Sequence, residues 1–197
     1  MRYPIAIETE TGRVKYSWKN SYESLANKIF QGIEAQLIDR ISLCVPNKQQ
    51  SARLIEKHII PKSRAINQLP IHIKFVKHRH PKQIFIDQVY TAINQHKNHG
   101  LGITALANTK RLHRTFDALN AVEMPIMLIL DNADLLADDK HQCFTAALRS
   151  FVINRTDNHI KLAFVGTDKK QLRSLFNSPR RPFYGSGGEF VELGDHH

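Results

Sequence analysis

With 197 residues, 42% of them hydrophobic, the chain is long enough to bury one good core and short for more than one domain. No apolar stretch approaches the roughly 20 residues of a membrane span, and MRYPIAIETE carries acids where a signal peptide needs an apolar core, so a cytoplasmic protein without a membrane role is expected. The net charge of +10 favours an anionic partner, DNA first, through counterion release and steering, although a plain solvated surface gives the same sum.

Ile5 to Tyr16 alternates around Thr11-Gly12, which predicts a small β-hairpin within an N-terminal extension over residues 1–19. One domain should follow over 20–193, leaving 194–197 as a tail. Tyr22, Leu25, Ile29, Phe30, Ile33 and Leu37 recur at helical spacing and predict an amphipathic helix over 21–38. Arg40 to Val45 reads as a short strand broken by Pro46-Asn47. A second helix over 49–60 places Leu54, Ile55, His58 and Ile59 near one face and stops before Pro61. Ile71 to Val76 alternates as a strand, and Pro81 opens a helix that reaches about His96. After a loop at Gly100-Leu101-Gly102, a helix over 104–121 turns Leu112, Phe116 and Leu119 inward. Its other face carries Lys110, Arg111 and Arg114.

Ile126 to Leu130 is an uninterrupted apolar run that enters Asp131-Asn132-Ala133-Asp134, as expected of an interior strand buried on both faces. A helix over 139–154, a strand from His159 to Val165 ending at Gly166-Thr167-Asp168, and a short helix from Lys169 to Asn177 follow. Ser178 to Gly188 is a loop rich in Pro and Gly, and Phe190 to Leu193 a last strand. Strands alternating with helices predict a three-layer α/β/α sandwich around a five-stranded, mainly parallel sheet. Cys44 and Cys143 fall in a strand and a helix, which suits small buried thiols better than a disulfide, and no Cys/His spacing suggests zinc.

A carboxylate at the carboxyl end of such a strand sits where open α/β sheets bind ligands, and oxygen ligands there suit Mg2+. The alternative is a buried strand whose Asp131 and Asp134 begin a turn. The element order, with LDNAD, FVGTD and SPRRPFYG in it, resembles the core of AAA+ and related P-loop ATPases over about residues 20–193. Within that superfamily it is most similar to archaeal-type ATPases and the ATPases that regulate DNA transposition. The resemblance implies ATP and Mg2+ as cofactors and Asp131 as the metal-side aspartate of a Walker B strand. It puts Asn132 where active members carry the glutamate that polarises water, and Thr167, or else Asp168, where the γ-phosphate is sensed. Arg180 and Arg181 match an arginine finger that would serve a neighbouring subunit in a homo-oligomer. Their alternative is a basic loop that grips a carboxylate or a phosphate backbone.

The same resemblance places a phosphate loop at Cys44 to Ser51, CVPNKQQS. A Walker A sequence needs glycines, a Lys and a Ser or Thr. Here Cys44 and Gln49 stand at the glycine positions and Gln50 at the lysine position. Ser51 keeps the hydroxyl that would face Mg2+, and Lys48 could reach an anion from the loop. None of the nine glycines lies between Gly32 and Gly100. The segment is therefore expected neither to wrap phosphate nor to bind ATP tightly. Two functions remain open, and a structural scaffold with no nucleic-acid role is the third wherever the basic residues prove dispersed. One is an accessory or regulatory AAA+ relative acting on DNA and protein partners in a mobile-element or replication assembly, with Lys110, Arg111, Arg114, Lys169, Lys170 and Arg173 as DNA contacts. The other is an active ATPase whose site is completed by a neighbouring subunit.

Overall fold

The computed structural model describes residues 5–8, 14–17, 22–35, 39–97, 111–153, 159–186 and 188–193. Two short strands, β1 (Ile5–Glu8) and β2 (Val14–Ser17), pair antiparallel with Ile5 opposite Ser17. After α1 (Tyr22–Glu34), five strands form one sheet: β3 (Arg40–Cys44), β4 (Leu69–Lys74), β5 (Ile126–Asp131), β6 (Ile160–Gly166) and β7 (Glu189–Glu192). Their order is β4-β5-β6-β3-β7, and every pairing is parallel. The interior position expected of Ile126 to Leu130 is what the sheet shows: β5 is hydrogen-bonded to β4 and to β6, and all six of its residues are buried. The alternating β4 lies at the edge, where Pro70 is tolerated, with Ile71 and Ile73 buried and His72 half-exposed between them.

Alternation along β5 divides the core in two. Ile126, Leu128 and Leu130 pack with α4 (Pro81–Lys97), α5 (Leu112–Asn120), α6 (Gln142–Ile153) and α7 (Lys169–Asn177). Met127 and Ile129 face the opposite way, onto α1 and the helical segment that begins with α2 (Lys48–Leu54). The result is the expected three-layer sandwich. Asp131 continues the Met127, Ile129 side, so its carboxylate emerges on the layer that contains α2.

Several element boundaries differ from expectation. The second helix does not stop at Pro61: α2 passes into a π-helical turn (Ile55–Ile59) and then α3 (Ile60–Ala65). Pro61 has no N–H and its ring crowds the preceding turn, and the wider π turn just before it lets the chain continue without a break. There the Ile60 N–H bonds to Ile55 O. Leu54, Ile55 and Ile59 are fully buried along this segment, so packing favours its continuation. Two 3-10 turns, Ala133–Ala137 and Asp139–His141, precede α6. The start of the expected 104–121 helix, with Lys110, and the loop at 100–102 lie outside the described residues, and the described helix begins at Leu112. Cys44 is buried as expected, but Cys143 is exposed, because Phe144 and Leu148 take the inward positions of α6; both thiols are free.

The segment after α7 is a chain of tight turns. Arg181 N–H bonds to Ser178 O, Tyr184 N–H to Arg181 O, Gly185 N–H to Phe176 O and Ser186 N–H to Phe183 O. Phe183, 1% exposed, anchors it by edge contacts with Phe164 and Phe176. Gly188 then has φ +65°, and a Cβ there would meet Arg40 O at 1.9 Å. Gly185 has φ +68° but open space around it. Gly185→Ala should therefore cost only the left-handed penalty of about 1–2 kcal/mol, whereas Gly188→Ala should cost clearly more. Phe183→Ala should cost about 3–5 kcal/mol. Urea unfolding of the three variants checks the order.

Candidate functional site at the carboxyl end of the sheet

Asp131 ends β5 at 2% exposure, and burial pushes its carboxyl upward. Contacts with His72 and Ser51 outweigh that, and the carboxyl is held below its ordinary 3.8. The Ser51 hydroxyl donates to Oδ1 at 2.8 Å. His72 Nε2 lies 3.4 Å from Oδ2, close enough for an ion pair when the imidazole is protonated but long for a hydrogen bond. The backbone N–H of Asn132 also donates to Oδ1, at 2.9 Å. The aspartate stands between the hydroxyl and the imidazole, so this is not a nucleophile activated by a base; the histidine is placed to compensate charge. Nothing in the sequence singles out His72, since IHIKFV signals only a strand. Its nearness to Asp131 follows from β4 pairing beside β5, with Lys74 opposite Asp131 in register.

Asn132 has the left-handed conformation, φ 56° and ψ 39°, which Asn tolerates better than most residues. Its Nδ2 donates to Phe75 O at 2.8 Å, so the amide is committed to tying the end of β5 to the chain leaving β4. Thr167 is half-buried just beyond β6, one strand over from Asp131. Asp168, the alternative at that place, caps α7 by accepting from Gln171 N–H at 2.9 Å.

Between β3 and α2 the chain has only Val45, Pro46 and Asn47, and among the described residues no positive φ occurs there. Asn47 Oδ1 accepts the Gln50 N–H at 2.9 Å, and Asn47 O accepts the Ser51 N–H at 3.0 Å. Two amides that a phosphate loop would turn toward its ligand are thus satisfied within the chain. Lys48 is exposed at the start of α2, and Gln50 is half-buried with its Oε1 unpartnered. The phosphate chemistry of ATP does not fit this donor set. Mg2+ is a different matter, since Ser51 Oγ and Asp131 Oδ1 are the hard oxygens it takes. Cys44, at the first glycine position of the resemblance, has its thiol pushed up to about 11 by burial, and Glu192 adds to the effect.

Asp134 stands against the end of β6, where a Cβ on Gly166 would meet its Oδ1 at 2.7 Å. Burial raises its carboxyl above 3.8, offset only in part by nearby backbone amides, those of Thr167 and Asp168 among them. A cavity of about 560 Å³ opens beside it on the α4 and α6 side, lined by Phe75, Arg79, Asp139 and Arg181 among others, and neither Ser51 nor Asp131 lines it.

The basic residues fall in separate places. Arg111 stands at the N-cap of α5, and Arg114 is 59% exposed with Asp117 at 4.0 Å. Lys169 Nζ lies 2.6 Å from Glu192 Oε2, and Arg173 shares that carboxylate at 4.0 Å while covering the Phe190 ring. Lys170 is exposed. Arg181 Nη1 lies 2.6 Å from Asp139 Oδ1, whereas Arg180 is exposed on the loop. The two sets stand on different elements: α5 packs against α4, and α7 on the Ala133–Ala137 turn and β3.

No protein-family model and no curated protein sequence matches this chain. Solved structures do. A Walker-type ATPase of Pyrococcus abyssi superposes with a TM-score of 0.60 at 11% identity, over 88% of this chain and 53% of that one. The ORC1 protein of Aeropyrum pernix in complex with DNA gives 0.58 at 14% identity, over 89% and 44%. The ORC2 protein of Aeropyrum pernix in its ADP form gives 0.54 at 12% identity, over 87% and 47%. The chain spans about half the length of these proteins. At such identities the likeness shows the fold alone, an α/β sandwich that this chain shares with these structures. Among the described residues no helix is long and apolar enough to cross a membrane.

The Ser51 to Asp131 bond makes a pH-dependent prediction. Because the folded carboxyl is held below 3.8, its contribution to stability is present above that value and lost as the pH falls through it toward the lower folded value. Ser51→Ala should cost about 1.5–3 kcal/mol at neutral pH, where the acceptor is charged, and about 0.5–1.5 kcal/mol once Asp131 is protonated. Urea unfolding at both pH values checks it, and a cost independent of pH would mean that the hydroxyl is bound elsewhere.

Proposed function

We propose that this chain, with the fold of AAA+ and related P-loop ATPases, serves as a DNA-associated accessory or regulatory domain in which nucleotide binding is weak or lost. One observation carries the reading: Asn47 takes up the Gln50 and Ser51 amides of α2, and the Ser51 hydroxyl is bound to Asp131, at the place where the resemblance puts a phosphate loop. Gln50 supplies no charge there. Removing one charged interaction with phosphate costs roughly 1.5–3 kcal/mol, and the missing cradle of amides adds to that. His72 beside Asp131 supplies positive charge, when protonated, to a carboxylate that a metal and nucleotide would otherwise neutralise.

DNA as partner is supported by the net charge of +10 and by exposed Arg111, Arg114 and Lys170. The Lys169 and Arg173 side chains are 44% and 40% exposed. Ion pairs of that kind contribute about 0–1 kcal/mol, so a phosphate can compete with Glu192 for them. Contacts of this type position a protein on DNA without reading sequence. A mobile-element or replication assembly is the setting that fits the sequence resemblance, and the DNA-bound ORC1 structure is compatible with it. A second reading, an ATPase completed by a neighbouring subunit, is favoured by the Ser51 and Asp131 oxygens, by Thr167 at the end of β6 and by the exposed position of Arg180.

Titration of ATP with Mg2+ against thermal stability separates the two, because a ligand that binds the folded state must raise stability by mass action. No saturable rise is expected; a saturable rise would favour the ATPase reading. For DNA, replacing Arg111, Arg114 and Lys170 with Ala should weaken duplex binding and lower the slope of log K against log salt by about 0.9 for each phosphate no longer neutralised.

A further inference from the structure

A second concave surface lies between α6 and the turns after α7, and of its lining residues only Arg181 also lines the cavity beside Asp134. Its volume is about 520 Å³, and its lining includes Arg149, Ser150, Pro179, Arg180, Pro182 and Tyr184, with Arg181 at its border toward Asp139. No carboxylate stands among the lining residues, while three of them are arginines. Arg181 is partly spent on Asp139, but no carboxylate pairs with Arg149 or Arg180 among the described residues, and Arg149 Nε is buried without a hydrogen-bond partner. Tyr184 is 52% exposed. Its exposure is a consequence of the turns, which are pinned by the buried Phe183 on the inside and present Tyr184 outside.

We propose that this groove binds single-stranded nucleic acid, with the Tyr184 ring as a stacking platform and Arg149 and Arg180 on the adjoining phosphates. The ring and the charges together select the ligand. A free phosphate would use the arginines and leave the tyrosine idle. A duplex would meet the arginines but keeps its base faces stacked inside, so that the ring has nothing to cover. An unpaired strand exposes both, every base has a π-face, and aromatic stacking beside a basic groove is how such strands are held without sequence preference. Pro179 and Pro182 stiffen the walls, which reduces the ordering cost of binding. The cavity lies within the range of about 300–1,000 Å³ typical of ligand sites and suits a short stretch of strand. The proposal deepens the nucleic-acid reading and rests on it, but uses a surface separate from Arg111, Arg114 and Lys170.

The test is fluorescence anisotropy on the full chain, with a labelled oligothymidylate and a labelled hairpin duplex. Tyr184→Ala should weaken oligothymidylate binding about 5- to 150-fold, and Tyr184→Phe should stay within about twofold because it keeps the π-face. Arg149→Ala and Arg180→Ala should each weaken it and lower its salt slope. Duplex affinity should change little in all four variants. Oligothymidylate affinity unchanged in Tyr184→Ala, a loss shared equally by the duplex, or no binding of oligothymidylate by a protein that binds duplex would each overturn the proposal. The converse pattern, in which oligothymidylate binds through Tyr184 while the Arg111, Arg114 and Lys170 substitutions leave duplex binding unchanged, would overturn the duplex surface and leave this groove standing. Competition by a phosphotyrosine peptide that displaces the strand only from the arginines, with Tyr184→Ala neutral, would identify an arginine-borne phosphopeptide site instead.

Discussion

Burying β5 on both faces and pairing it on both edges leaves no place for an unsatisfied polar group until the strand ends. Asp131 is the first such group, and the surrounding structure is arranged to hold its charge. A carboxylate 2% exposed is costly unless it accepts hydrogen bonds, and here Ser51 and the Asn132 amide donate them while the nearby His72, when protonated, adds opposite charge. Each comes from a different element: α2, the turn after β5, and β4. The charge thus ties together the ends of three segments that are far apart in sequence, and it does so at the carboxyl end of the sheet, where the fold offers a ligand site.

The compactness of the β3 to α2 connection is the other side of the same arrangement. Asn47 caps the first turn of α2 through the Gln50 N–H, and the next residue, Ser51, donates its hydroxyl to the Asp131 carboxylate. A cradle for phosphate would need a longer, glycine-rich loop with free amides, and the tight turn at Pro46-Asn47 uses those amides for helix capping. The two apolar layers on either side of β5 do not include Pro46 or Asn47.

Part of this arrangement is legible in the sequence. Five apolar residues followed by Asp131 identify an interior strand, since no edge or half-exposed strand needs an unbroken run, and the alternating residues around His72 identify β4 as less buried. SPRRPFYG reads as a loop because Pro and Gly leave little else. The helix through Pro61 is not legible, because a proline normally ends a helix and only the depth of burial of Ile55 and Ile59 makes a π turn worthwhile. Nor does Cys143 carry any signal as to which side of α6 it occupies, and the packing of Phe144 and Leu148 decides that it faces out.

The sequence by itself determined the layers, the interior place of β5 and, from Cys44 to Ser51, the lack of glycines and of a lysine at position 50, because hydrophobic period and backbone permissiveness are local properties. Only the tertiary structure decided which side chains meet. No spacing in the sequence relates His72 to Asp131; it reaches the carboxylate because β4 is the strand that pairs with β5 on that edge. Likewise Arg149 joins Arg180 and Tyr184 because α6 lies beside the turns after α7. Charge compensation and groove chemistry depend on distances between segments, and those distances follow from how the sheet is ordered and how the helices cover it.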